Sequence, residues 1–251
     1  MTKTLSGKVA LVTGGSRGLG AVAAAALAEA GADVAISYVA SEGKAAAVVE
    51  TLKAKGVRAL AIHADQGDPT TAEHVIRDLL EHFGKLDILV NNAAVAWQGK
   101  SIDDPEIDNA AMDRQWSINT LGVIANIRSA CKVMTDGGRI ISTGSGLGTR
   151  IAFPGTTDYA ATKAAVVAYS KGAARDLGPR NITVNVVQAG IMDTEMAAGS
   201  KDNLPPIIME SHAIQRFATL DEVASAILYL AGPSAGFITG TVLDVNGGFT
   251  A

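Results

Sequence analysis

The stretch Val9-Ala-Leu-Val-Thr13-Gly14-Gly-Ser-Arg-Gly-Leu-Gly20 runs from an apolar, β-branched segment through a glycine-rich turn into the alanine-rich residues 21–30. A strand that passes through such a turn into a helix is the context that makes this glycine spacing specific for a dinucleotide phosphate site. Gly14 allows the tight turn, and Gly18 and Gly20 let backbone approach a pyrophosphate and the sheet. Ser16, Arg17 and Leu19 lie between them as further cofactor contacts. The helix N-terminus adds oriented N–H groups and positive potential. Without that context the same residues are a flexible turn.

Outward from this stretch, short β-branched runs alternate with longer helical ones: Val9 to Thr13, Val34 to Tyr38, Val57 to His63, Leu86 to Val90, Arg139 to Thr143, Thr183 to Val187 and Val242 to Val245. That rhythm predicts βαβ units and a parallel sheet. The runs are apolar throughout rather than alternating, as strands are when helices cover both faces. The expected architecture is α/β, a doubly wound Rossmann fold with a central, mostly seven-stranded parallel sheet, over a single domain of residues 1–251. Gly31, Gly56 and Gly84 fall where helices should end, and Gly178-Pro179 stops the helix that begins near Tyr159. Ligands of such a fold lie beyond the carboxyl ends of the strands, where Gly14, Asn91, Ser145 and Gly190 emerge. Residues 191–219 break the rhythm, with Pro205-Pro206 among apolar residues, and are expected to form a substrate lid.

The 251 residues are 48% hydrophobic and 18% charged, which excludes a disordered chain. Lys and Arg total 21 against 25 Asp and Glu, a formal charge of -4, so no basic surface suits a nucleic-acid backbone. The single cysteine, Cys131, reads as a buried thiol and suits a reducing compartment. The N-terminus reaches the first strand without a signal-peptide core, and no apolar run approaches the roughly 18 residues of a membrane span. The expected location is cytoplasmic. His63, His74, His82 and His212 lack ligand spacing, so no metal site is expected.

An NAD-specific site carries a carboxylate at the end of the second strand for the ribose 2'-hydroxyl, but Ser37 and Tyr38 stand there. Arg17, with hydroxyls from Ser37, Tyr38 and Ser41, suits a 2'-phosphate instead, so the expected cofactor is NADP(H). Asp65 and Gln66, after the third strand, either reach the adenine edge or cap the following helix.

Tyr159 and Lys163, four residues apart, share a face if their segment is helical. A free phenol has a pKa of about 10; a nearby ammonium, and a place in the first turn after the candidate caps Thr156 and Thr157, both favour its ionised form. Such a phenol can exchange a proton with an alcohol or ketone oxygen.

The ordered set Thr13 to Gly20, Asn91-Asn92-Ala93, Asn119, Ser145, Tyr159 with Lys163, Gly190 with Thr194, and Asp244-Val-Asn-Gly-Gly248 resembles the short-chain dehydrogenase/reductase family, within it the 3-oxoacyl-[acyl-carrier-protein] reductase-like ketoreductases. The resemblance spans nearly the whole chain. It implies that Ser145 hydrogen-bonds the substrate oxygen, that Tyr159 is the general acid or base, and that Lys163 binds nicotinamide-ribose hydroxyls while lowering the tyrosine pKa. Asn119 would hold a relay water, although its place in an amphipathic helix fits a structural side-chain bond equally. Asn91 and Ala93 would line the adenosine ribose, and Ile191 and Thr194 the nicotinamide. Ala94 stands where the family has glycine, Ala189 where it has proline, and Ser145 to Tyr159 is one residue longer than usual. These departures reshape the walls and leave the reacting groups intact.

The expected function is therefore NADPH-dependent reduction of a ketone, or oxidation of the secondary alcohol. The alternative is a non-catalytic NADP(H)-binding regulator, which would not need the intact trio. Trp97, Leu147, Phe153, Met192 and Met196, with Ile151 and the lid, are candidate substrate walls; they suit a hydrophobic or aryl ketone, an acyl-thioester β-ketone or a polyketide-like ring, and equally suit core. Apolar residues on several faces of the helices around 111–134 and 157–178, for example Val123, Ile124, Ile127, Val166, Val167 and Tyr169, suggest subunit contacts. The resemblance implies a homotetramer.

Overall fold

The computed structural model describes residues 3–194 and 205–251. Its strands are β1 (Val9–Val12), β2 (Asp33–Tyr38), β3 (Ala59–His63), β4 (Ile88–Asn91), β5 (Arg139–Ser145), β6 (Thr183–Ala189) and β7 (Val242–Val245). They form one parallel sheet in the order β3-β2-β1-β4-β5-β6-β7. Each apolar run read from the sequence becomes a strand. β5 and β6 continue past their apolar stretches and carry Ser145 and Ala189 to the carboxyl edge, in register with one another. The order reverses between β1 and β4, which opens a crevice at their ends.

The helices are α1 (Gly18–Glu29), α2 (Glu42–Lys53), α3 (Thr71–Phe83), α4 (Asn109–Trp116), α5 (Gly122–Val133), α6 (Thr157–Leu177), α7 (Pro206–Glu210) and α8 (Leu220–Ala231). Alternate strand residues serve opposite faces. Val12, Val34 and Ile36 pack with Leu27 of α1, Leu52 of α2 and Ile227 of α8. Leu11, Leu89 and Ile140 pack with Leu79 of α3, Ile127 of α5 and Val166 of α6. Each such fully buried side chain contributes about 1.5–3 kcal/mol. Among the described residues no helix is long and apolar enough to cross a membrane.

Two local expectations are corrected. The helix foreseen across 111–134 runs unbroken from 109 to 133 but is not regular, because a π-turn at Ser117–Leu121 widens it between α4 and α5. Thr156 occupies the N-cap position of α6 but makes no capping bond; its hydroxyl donates to Phe153 O at 3.2 Å. Gly84, with φ of 82°, ends α3 in the left-handed region that a side chain disfavours, as foreseen. Past Gly178-Pro179 the chain turns on Asn181, whose φ is 55°.

At the amino ends of the strands, Asp87 is 3% exposed. Its carboxylate accepts from Val9 N at 2.9 Å, Lys8 Nζ at 3.2 Å and Thr135 Oγ1 at 3.0 Å, and pairs with Lys85 at 3.0 Å. Burial alone would raise its pKa, but these donors hold it below the ordinary value. Cys131 is half-buried rather than buried. Val123, Ile127 and Val166 lie in the core, so the apolar faces foreseen as subunit contacts are narrower than the sequence suggests.

Candidate active site

The glycine loop closes on the neighbouring strand's loop. Thr13 Oγ1 accepts from Asn92 N and Ala93 N, both at 3.1 Å, and Asn92 Nδ2 donates to Thr13 O at 3.0 Å. A Cβ on Gly20 would stand 2.4 Å from Gly14 O and 2.5 Å from Asn92 Nδ2, so only glycine lets α1 begin this close to the turn. Over Gly18 there is room: an added Cβ would meet only Thr194 Cγ2, at 4.0 Å. Arg17 is the N-cap of α1 and no side chain caps that terminus, nor is there an acidic residue in its first turn. Open backbone, oriented N–H donors and a first turn without a carboxylate fit a pyrophosphate.

The residues foreseen for the adenosine end divide. Arg17 is exposed, Ser37 is buried, and Ser41 begins α2 without using its hydroxyl to cap it. Tyr38 meets the His63 ring edge-on at 5.5 Å between centroids. The Asp65 carboxylate neither caps α3 nor stands free: it accepts from Arg114 at 2.5 and 2.6 Å and from Gly67 N at 2.8 Å. Burial would raise its pKa, but the guanidinium and the Gly67 N–H bring it below the ordinary value. The Gln66 side chain turns inward to Ala93 O and Ile118 O. Asn91 does the same, donating to Ser142 Oγ at 3.4 Å and accepting from Asn126. For these two only the backbone is left to a ligand. Ala93 stays half-exposed on the crevice loop.

The reacting groups converge. Ser145 ends β5 and accepts from Leu147 N at 3.3 Å; its hydroxyl lies beside the Tyr159 phenol and favours the phenolate. Tyr159 lies in the first turn of α6, and one turn on Lys163 donates to Thr143 O at 3.1 Å, its Nζ 5.7 Å from the tyrosine ring centroid. The acidified phenol expected from the sequence is reversed in the chain by itself: burial raises the Tyr159 pKa, and the Ser145 hydroxyl only opposes it. Burial also lowers Lys163 from 10.5 to about 8. The lysine is 4% exposed, so the charge that would stabilise a phenolate itself lacks water.

Asn119 lies in the π-turn and is fully buried. Its amide accepts from Val95 N at 2.9 Å, donates to Val95 O at 2.8 Å, and reaches Thr162 Oγ1 at 3.3 Å. Thr162 Oγ1 in turn donates to Tyr159 O at 2.7 Å. The side-chain bond left open by the sequence is thus made. Sequence reasoning passed over Thr143 and Thr162, which bond Lys163 and Asn119 respectively, and gave Thr13 no bonding role of its own.

Gly190 N donates to Val245 O at 3.0 Å, Ile191 O accepts from Ala218 at 2.9 Å, and Met192 bridges to Ala218, which holds the start of the expected lid against α8's leading segment. Gly190 and Ile191 open onto a cleft of about 620 Å³ shared with His212, Arg216 and the C-terminal residues; Ser145, Tyr159 and Lys163 do not line it. A second cleft, of about 260 Å³, is lined by Trp97, Ile102, Met112 and Asp158. Its two walls are joined by Gly99 N donating to Gly155 O at 2.8 Å. Leu147 and Phe153 are half-buried beside the Ser145 loop, and Met196 lies outside the described residues. Among the described residues no group of His, Cys, Asp and Glu is placed to hold a metal.

The family described as Enoyl-(Acyl carrier protein) reductase matches residues 14–250. The chain is 38% identical over 250 residues to a 3-oxoacyl-[acyl-carrier-protein] reductase of Staphylococcus aureus, covering 96% of this chain and 97% of that one. A Burkholderia cenocepacia short chain dehydrogenase solved in complex with NADP superposes with a TM-score of 0.92 at 45% identity, covering 99% of this chain and 100% of the other. A blue fluorescent protein from a metagenomic library, solved with NADPH, gives a TM-score of 0.93 at 40% identity, with the same coverage. By the family match over residues 14–250 and these likenesses along the whole chain, the chain belongs to the short-chain dehydrogenase/reductase family of oxidoreductases.

Proposed function

We propose that the protein is an NADPH-dependent ketoreductase, reducing a 3-oxoacyl thioester or a similarly apolar ketone to the secondary alcohol. The observation that carries this reading is the Ser145 hydroxyl beside the Tyr159 phenol, whose ionised form it favours, with Lys163 one helical turn away. Two hydroxyls converging on one point suit a substrate oxygen that becomes an alkoxide. Gly14, Ser16, Gly18, Leu19 and Gly20 would hold the cofactor's pyrophosphate, and Lys163, Gly190, Ile191 and Thr194 its nicotinamide half. Once bound, the reduced nicotinamide supplies the hydride.

Ser145 holds the carbonyl oxygen, and Tyr159 donates the proton to it. A raised phenol pKa keeps that proton in place at neutral pH, which suits the reductive direction. Lys163 orients ribose hydroxyls and stabilises the phenolate left behind. Asn119 clamps the Val95 loop; a relay water would be held from its main chain, since its amide is occupied. The chain works as one domain with residues 191–219 as lid, and its half-buried thiol suits the cytoplasm. The test is loss of reduced-nicotinamide absorbance with 3-oxoacyl thioesters, aryl ketones and enoyl thioesters. Turnover confined to the enoyl compounds, or NADPH binding without turnover of any, would overturn the ketoreductase.

Arg17, Ser37, Tyr38 and Ser41 would receive the 2'-phosphate. A charge-assisted hydrogen bond is worth about 1.5–3 kcal/mol, so Arg17→Ala should raise the KM for NADPH about 10- to 100-fold and barely alter that for NADH. A wild-type efficiency with NADH equal to that with NADPH would refute the preference.

The protein is proposed to be a homotetramer. Leu121 at the start of α5, Tyr229 on α8 and Phe237 beyond it expose large apolar side chains that a partner would cover. Light scattering should give four times the 25.6 kDa chain mass, and a monomeric mass would refute it.

A further inference from the structure

The π-turn between α4 and α5 has a partner outside the helix. Gly122 N–H bonds Ser117 O, five residues back, and so passes over Ile118 O. That carbonyl accepts instead from Gln66 Nε2 at 2.9 Å, and the same nitrogen donates to Ala93 O at 2.9 Å. Gln66 Oε1 accepts from Asn126 Nδ2 at 3.1 Å, in the first turns of α5. Both ends of the buried carboxamide are therefore engaged, and its Nε2 spans the crevice loop and the π-turn. The approach depends on Gly122: a Cβ there would stand 2.2 Å from Gln66 O and 2.5 Å from Gln66 Cγ. A glycine in mid-helix, a carbonyl released by a widened turn and a buried donor matched to it form one device.

We propose that Gln66 is a positioning residue for the reduction, acting through Asn119. By occupying Ile118 O it removes the acceptor that Gly122 N–H would need to close the turn to ordinary α spacing. That closure would rotate the next residue, Asn119, away from Val95. With Gln66 in place, the crevice wall is fixed twice, at Ala93 O by Gln66 and at Val95 by Asn119, and Asn119 stays linked through Thr162 to the turn that carries Tyr159. Single π-turns inside α-helices are rare and frequently lie at functional sites. The proposal rests on the reductase reading above. It removes the Gln66 side chain from the adenine, where the sequence placed it.

The test compares wild type, Gln66→Met, Asn119→Ala and the double variant in kcat, NADPH Kd and melting temperature. Methionine keeps the length and apolar volume of glutamine and loses both the donor and the acceptor. Gln66→Met should lower kcat about 10- to 100-fold, the range for misplacing reacting groups by about an ångström, with the NADPH Kd unchanged. The double variant should turn over no more slowly than Asn119→Ala. A raised Kd with kcat preserved would make Gln66 an adenine contact and overturn the proposal, as would losses that multiply in the double variant. If Gln66→Met does not fold, Asn126→Ala, which removes the donor to Gln66 Oε1, takes its place with the same non-additivity expected; multiplying losses again overturn it. A wild type that reduces no ketone sinks the reductase reading itself, a result separate from any of these.

Discussion

Tyr159→Phe should lower kcat for ketone reduction by about 10² to 10⁴, the span that a positioned proton donor supplies, while NADPH binds as before. The substitution deletes one oxygen from a half-buried ring and leaves the packing of α6 in place. It also removes the phenol oxygen beside the Ser145 hydroxyl, which keeps its bond from Leu147 N. Because burial raises the phenol pKa, alcohol oxidation by the wild type, which needs the phenolate, should speed up as the pH rises. Single-turnover kinetics with a 3-oxoacyl thioester and fluorescence titration of NADPH separate the two effects. A variant that keeps wild-type turnover would remove Tyr159 from the chemistry.

Lys163→Met should cost about as much, and it should also weaken NADPH binding, because in the proposed mechanism the ammonium serves both the ribose and the phenolate. The lysine's lowered value gives a further expectation. With a pKa of about 8 in place of 10.5, the amine carries its charge below pH 8 and loses it above, so kcat/KM for reduction should fall as the pH rises through about 8. The stability linkage runs the other way. Between about pH 8 and 10.5 the unfolded chain holds a proton that the native lysine has released, so the native state gains stability over that window, whereas below it both states are charged and the full cost of burying the charge applies. Lys163→Met should therefore be more heat-stable than wild type at neutral pH and lose that advantage as the pH rises towards 10.5. A melting temperature lower at pH 7 would show that the charge is better satisfied than its single bond to Thr143 O suggests.

The sheet and the glycine loop were legible because their signals are local. Val9 to Gly20 contains its own strand, turn and helix start, and Gly84 and Gly178-Pro179 mark ends through backbone chemistry that needs no neighbour. The convergence of Ser145 and Tyr159 was legible once both were placed at the carboxyl edge. What escaped depends on tertiary partners. The π-turn at Ser117–Leu121 is matched by Gln66, more than fifty positions upstream, and its trace in the sequence is Gly122 within an otherwise helical pattern. Asp65 looked available for adenine because nothing nearby in the sequence shows Arg114 reaching it. The direction of the Tyr159 shift was misjudged for the same reason: Lys163 is visible four residues away, whereas burial is a property of the assembled fold.

Asp87 and its donors tie Val9, Lys8, Lys85 and Thr135 together at the end of the sheet opposite the crevice. This tether and the reacting groups thus sit at opposite poles of the sheet. Substitutions that tighten the tether can therefore be made without touching a side chain of the cleft.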